Sequence, residues 1–318
     1  MPPELTDLTD QITLTPLQAL GIPIALIGAV FLSLGAQFQH AGVGIVEAND
    51  GGVSKAGLSL KQLLALLRRP SWVIGTGMLG LAVVFQLVSI GLAPLTVVQP
   101  LGALALVITA VVTARRSGIP LDAISIRAIV FCVGGVALFV AVATVTTKTH
   151  PITTTELTAV LIILGVVLTA FAVTFGLFRK RLAPIFYIIG AGVLFGFVAT
   201  LAKVVIGRVQ TLIADEFQRT DLEWLTILCV IALLAASVLG SYFVQTAYSN
   251  GPPDLVVAGL TVIDPIVAIV IAIVVLGEAS TAPLWAIGAF VVAGVIAVYG
   301  VVQLAKHHPQ LQGTLISD

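Results

Sequence analysis

Charge is what this sequence has least of. Only 9% of its 318 residues are Asp, Glu, Lys or Arg, against about 25% in an ordinary soluble domain. The fifteen basic and fifteen acidic residues cancel. No bulk positive field therefore points to nucleic acid. Cysteine is nearly as scarce. Cys132 and Cys229 both fall in apolar stretches, which argues against a disulfide framework and is too few for a zinc or iron–sulfur site. They read as small packing residues. The four histidines (His40, His150, His307 and His308) lack metal-ligand spacing. There is no GxxxxGK[ST] phosphate loop, no GxGxxG fingerprint, no HExxH pair and no serine or cysteine nucleophile constellation. These absences argue against an enzyme, and an ATP-driven engine would need a separate subunit. A secretory leader is not expected. The first residues carry Glu4, Asp7 and Asp10 where a basic segment would stand, and the first apolar run is too long for such a leader.

Apolar surface is what the chain has in excess. Hydrophobic residues make up 58% of it, and the mean hydropathy is +1.14. A water-soluble core cannot absorb that much apolar area, whereas lipid can. Spans of roughly 20 residues cross a hydrocarbon core at 1.5 Å per residue. Such spans are expected at about 18–40, 71–91, 93–114, 127–146, 157–177, 183–205, 224–247, 254–276 and 283–305. Trp72, Trp224 and Trp285 open three of them. The fold class is therefore all-α, a polytopic membrane protein with about nine transmembrane helices. Between the first two spans, LSLKQLLALLRR (58–69) looks amphipathic, with Lys61, Arg68 and Arg69 placed for lipid headgroups.

Two passages organise the rest. Gln86–Val112 contains no charge, turns near Gly91 and Pro94, and continues as a helix carrying Pro100. Gln245–Val275 repeats the plan with a break near Gly251 and a proline at Pro265. Aligning Gly28 with Gly192 brings Gln39 onto Lys203, and aligning Gln86 with Gln245 brings Leu95 within one residue of Leu255. The offsets nearly agree, so spans one to four correspond to spans six to nine. The domain reading is a polar tail over 1–17, a first repeat over 18–146, a linking span at 157–177, a second repeat over 183–305 and a tail over 306–318. An odd linking span gives the halves opposite orientation, the arrangement of inverted-repeat carriers. The competing reading is that any Gly-, Ala- and Val-rich helices look alike.

Lys and Arg set the orientation. Eleven fall on one face (Lys55, Lys61, Arg68, Arg69, Arg115, Arg116, Arg127, Arg179, Lys180, Arg181 and Lys306) and three on the other (Lys148, Arg208 and Arg219), with Lys203 in the membrane. The positive-inside rule places the N-terminus outside and the C-terminus in the cytoplasm.

Asp264 is the sharpest functional signal. A carboxylate near the middle of a span is costly unless it is paired, protonated or facing water. Pro265 beside it removes a backbone hydrogen bond and is expected to break the helix. An ion or proton site needs such a pair, although a purely structural bond would also explain the Asp. Lys203 lies toward the cytoplasm-distal end of span six. It is expected to snorkel outward, with pairing to Asp264 or contact with an anionic solute as alternatives. Gln39, Gln86, Gln99 and Gln245 could contact a solute or knit helices together. His40 reads as an interfacial group. Glu47, Asp50 and Glu278 read as ordinary solvated carboxylates at the span ends. Gly75–Gly80, Gly134–Gly135, Gly190–Gly196 and Gly288–Gly294 suit close helix contact. Pro94, Pro100, Gly190 and Gly192 are candidate breaks or gating points.

The segment 68–111, through Arg69, Trp72, Ala93, Pro94 and the run Val98–Leu104, resembles the NIPA-type magnesium transporter branch of the drug/metabolite transporter (EamA-like) superfamily. Asp264, Pro265 and the closing Leu276-Gly277-Glu278 resemble the end of many members of that superfamily. The likeness covers most of 18–305. It implies a compact carrier with a central cavity between inverted halves, and it permits Mg²⁺ as substrate with Asp264 as its ligand. Two departures stand against the dication. Only one clear carboxylate lies at membrane depth, and Lys203 is an awkward neighbour.

Three functions follow. The first is a secondary transporter of a small metabolite, drug or lipid-linked solute across the cytoplasmic membrane by alternating access, with H⁺ as coupling ion through Asp264. The second is a Mg²⁺ transporter. The third is a non-transporting scaffold or accessory subunit. No cofactor is expected. The partners are membrane lipids and the solute or ion, and a homodimer is left open. A cavity lined by Asp264, Gln86 and Gln245 would favour transport, and solid packing around them the scaffold.

Overall fold

The computed structural model describes residues 15–49, 66–149, 152–178, 183–214 and 223–307. Among these residues there is no strand. Nine helices are long and apolar enough to cross a membrane: Pro16–Gln39, Pro70–Leu92, Leu95–Ser117, Ala123–Thr146, Thr154–Leu177, Pro184–Thr211, Trp224–Ser249, Leu255–Val274 and Leu284–Lys306, called spans one to nine below. The chain is an all-α polytopic integral membrane protein. Most of the segment 58–69, Lys55, Asp50, Arg179–Arg181, Asp215, Arg219, His150, His308 and the tail residues 1–14 and 308–318 lie outside the described residues.

Local chemistry sets the ends. Asp122 accepts a hydrogen bond from the Ser125 N–H at 2.9 Å and caps the helix Ala123–Thr146. Gly118 closes span three in the left-handed region, φ 70°, where a side chain would be strained. Span three is the irregular one. It begins as a short helix, Leu95–Val98, tightens to a 3₁₀ segment, Gln99–Ala103, and resumes as an α-helix, Leu104–Ser117. Pro100 accounts for the tightening, because it gives no N–H to the preceding turn and its ring crowds the i−4 carbonyl.

Pro265 behaves differently from expectation. It sits inside an unbroken helix, Pro253–Val274. The flanking Val and Ile residues hold the helix through packing on both sides, so the proline leaves the Thr261 carbonyl without its i+4 donor and does not end the helix.

The packing partners recur in the two halves. Span one packs on spans two and three, and span six packs on spans seven and eight. Ser33 and Thr109 hydroxyls lie 2.8 Å apart across spans one and three. Span four packs along span nine, with Phe139 against Phe290 at 4.8 Å between ring centroids. Backbone meets backbone there, since a Cβ on Gly135 would overlap Ala297 and one on Gly300 would overlap Cys132. Of the expected small-residue pairs, Gly75, Gly135, Gly190 and Gly196 sit at such contacts. Gly80, Gly134, Gly288 and Gly294 face open space instead. Spacing alone could not tell them from the contact glycines.

Two buried apolar clusters result. One joins spans one, three, four, eight and nine around Leu95, Val136 and Ala268. The other joins spans five to eight around Leu157, Leu194 and Cys229. Large apolar side chains such as Val83, Val166, Val238 and Val291 point outward, as they must where the solvent is hydrocarbon. Span five is the most peripheral, with 11% of its most apolar window buried.

Candidate functional site

The break between spans two and three is held from both sides by charge. Helix Pro70–Leu92 ends just before it, and Lys203 donates from its ammonium to the carbonyls of Ile90 and Ala93, both at 2.8 Å. Helix Leu95–Val98 begins just after it. There the carboxylate of Glu278 accepts from the Leu95 N–H at 2.7 Å, the Thr96 N–H at 2.8 Å and the Thr96 hydroxyl at 2.7 Å. A cation thus sits on a helix C-terminus and an anion on a helix N-terminus. Each satisfies backbone groups that the break leaves without intrahelical partners. Lys203 is 4% and Glu278 2% exposed, so both charges are buried at the break. Glu278 is anchored in turn, its carbonyl accepting from the Lys148 N–H and its N–H donating to Ala272. This cluster ties span two, span three and the loops after spans four and eight together, with Lys203 of span six on the same break.

Among the described residues, Gln99, Ser125, Thr149, Arg208 and Asp264 carry buried side-chain atoms without a hydrogen-bond partner. Gln99, in the 3₁₀ segment of span three, is 5% exposed, and its Nε2 has no hydrogen-bond partner. Asp264, on span eight, is half-buried, and its Oδ1 is likewise buried without a partner. The two elements touch. Orphaned buried groups are rare and each calls for an explanation. A crevice of about 760 Å³ opens between spans three, four, eight and nine, and neither Gln99 nor Asp264 is among its lining residues. Its walls include Pro100, Phe139, Thr261, Pro265, Phe290 and Gly294. Pro100 and Pro265 are the chain neighbours of Gln99 and Asp264.

Several expectations are corrected by this geometry. Lys203 does not snorkel. It turns inward because two carbonyls at a helix end replace water around the ammonium, and it bonds neither to Asp264 nor to the surface. Glu278 is not a solvated carboxylate at a loop, because three donors from span three remove it from water. Gln39 donates to the Thr76 hydroxyl at 2.9 Å on an exposed face, which ties span one to span two. Gln86 is half-buried on span two, and Gln245 is exposed on span seven. Neither they nor Asp264 line the crevice, so Asp264, Gln86 and Gln245 do not share that cavity wall. Gly190 and Gly192 sit inside a continuous helix, Pro184–Ala214, against Phe243 and Ile263. Pro94 is the N-cap of Leu95–Val98.

Thr96 was not singled out from the sequence, and Arg208 was counted only among the flanking charges. Arg208 is 4% exposed, with two guanidinium nitrogens lacking partners. Thr96 bonds to a residue 182 positions away, which no local pattern signals. For Arg208 the signal was available, since it continues the helix of Lys203 past the expected end of span six.

No family model, curated protein or solved structure matches this chain. The class is an α-helical integral membrane protein, and the nine apolar helices among the described residues fit a membrane transporter.

Proposed function

We propose that the chain is a secondary transporter that moves a small solute across a membrane by alternating access. The observation that carries this reading is the pair of unpartnered polar groups, Gln99 Nε2 and Asp264 Oδ1, buried on touching elements of spans three and eight. A scaffold gains nothing from them, because an unmade buried hydrogen bond costs roughly 1–3 kcal/mol. A solute site does gain, because the solute supplies the missing partners. The halves are read as inverted repeats, with recurring packing partners in support. The drug/metabolite transporter superfamily remains the family this arrangement resembles.

The Lys203–Glu278 cluster sits at one end. Basic residues crowd the other: Arg127 and His307 line one small cleft there. By the positive-inside rule that basic end faces the cytoplasm, and the N-terminus faces outside. Asp264 is the group suited to proton coupling, being the acid at depth. A Mg²⁺ cargo has less support. Glu278 already spends both oxygens on span three, and no cluster of three His, Cys, Asp or Glu occurs among the described residues.

The test begins with an untargeted comparison of solutes and lipids in cells with and without the gene. Flux of the solute it identifies is then measured in vesicles bearing the purified chain. Flux driven by a pH gradient and lost in Asp264→Asn supports the reading. A protein that moves no enriched solute in either direction overturns it.

A further inference from the structure

We infer that the cleft between the start of span four and the end of span nine binds the phosphate of an anionic phospholipid, whose chains lie along the outside of the bundle. The cleft holds about 270 Å³. Arg127 lines it from span four, Gln303 and His307 line it from span nine, and none of its lining residues is acidic. Arg127 donates through Nε to the Ala123 carbonyl at 3.3 Å, a bond within its own helix. The two terminal amino groups of the guanidinium are left for an acceptor. The His307 Nδ1 lies 2.9 Å from the Gln303 carbonyl. A carbonyl only accepts, so Nδ1 donates and Nε2 is left for a ligand, presenting a second N–H when the ring is protonated. The Gln303 amide, one turn earlier, adds two donors. Asp122, the carboxylate at the start of span four, is spent on the Ser125 N–H.

A lipid fits this cleft better than a free phosphate because the rest of it is apolar and faces outward. Phe131 and Tyr299 meet edge to face across it, 5.5 Å between ring centroids, and both are exposed. They belong to helices that cross the membrane, so that exposed surface meets hydrocarbon. Arg127 stands in the second turn of its helix and His307 directly follows the last residue of its own, which is the depth of headgroups. Basic pockets between spanning helices are where anionic headgroups bind. A zwitterionic choline lipid would bring its own cation to two basic side chains. Arg127 and His307 also belong to different halves of the chain. A headgroup shared between them clamps span four to span nine, whose backbones meet at Gly135 and Gly300. This site is independent of the carrier reading.

The experiment is native mass spectrometry of the purified full chain in detergent, titrated with phosphatidylglycerol, phosphatidylcholine or inorganic phosphate. Phosphatidylglycerol should bind about tenfold more tightly than phosphatidylcholine, the worth of one charge-assisted hydrogen bond. Arg127→Gln should remove that preference, and His307→Gln should weaken it. Arg116→Gln, an exposed basic residue at the end of span three and outside the cleft, should leave it unchanged. Phosphatidylglycerol should also raise the unfolding midpoint of the wild type more than that of Arg127→Gln, because the ligand binds the folded chain. Equal binding of the two lipids overturns the inference. A loss in Arg116→Gln as large as in Arg127→Gln overturns the cleft and leaves only general surface charge. Displacement of phosphatidylglycerol by inorganic phosphate at equal concentration overturns the lipid as its occupant.

Discussion

Truncating Glu278 is the perturbation with the most calculable consequence. The side chain is 2% exposed and accepts three hydrogen bonds from Leu95 and Thr96. Glu278→Ala strands two backbone N–H groups and a hydroxyl in a dry environment, each costing roughly 1–3 kcal/mol. These costs are not fully additive, so the expected loss is about 3–5 kcal/mol. Glu278→Gln keeps one carbonyl oxygen and turns an NH₂ toward a donor, and should cost about 1–3 kcal/mol. Lys203→Met leaves the carbonyls of Ile90 and Ala93 unpaired but spares the three bonds to Glu278. Combined with Glu278→Gln it should show a coupling of about 0.5–3 kcal/mol. The assay is equilibrium unfolding in mixed micelles, read by tryptophan fluorescence. Glu278→Ala within about 0.5 kcal/mol of the wild type, the range of an ordinary surface change, would refute the claim that this carboxylate holds span three in place.

Other variants test separate parts of the account. Gly300→Ala should lower the unfolding midpoint, because its Cβ overlaps the Cys132 backbone, whereas Gly134→Ala meets nothing and should leave the midpoint unchanged; thermal scans of both decide it. Gln99→Leu should be neutral or stabilising, because it deletes an unmatched donor, and should abolish solute flux; lost stability with retained flux would assign Gln99 to the fold. Asp122 carries a carboxyl held below the usual carboxylate range by its bonds to Ser125. Its contribution is therefore full at neutral pH and is lost as pH falls through that depressed value. The gap in midpoint between wild type and Asp122→Ala should shrink on acidification, and a gap that widens would contradict the capping role.

The membrane class was legible because length and hydropathy decide it residue by residue. Each expected span overlaps an observed one; capping or a proline set some of the ends, as at Asp122 and Pro94, while span six ran on past its expected end to Thr211. What the sequence could not carry was pairing across distance. Glu278 looked like a loop carboxylate because its partners lie 182 and 183 positions away. Lys203 looked like a snorkelling lysine for the same reason, since the carbonyls that hold it belong to span two. Glycine spacing named helix faces but not whether a partner helix meets them, so Gly135 and Gly134 read alike. Pro265 misled in another way. Proline weakens a helix by one bond, and apolar packing around span eight is enough to carry the helix past it.

Accessibility of the site from each side of the membrane tests the central claim most directly. Thr261 lies on the crevice wall one turn before Asp264. A Thr261→Cys variant, in a chain with Cys132 and Cys229 replaced, would be exposed to a membrane-impermeant thiol reagent from one side or the other of oriented vesicles. The account predicts reaction from both faces, with the share from the face of the Lys203–Glu278 cluster rising when Glu278→Gln loosens it. A thiol reactive from neither face, or from one face at a rate indifferent to Glu278, would contradict alternating access.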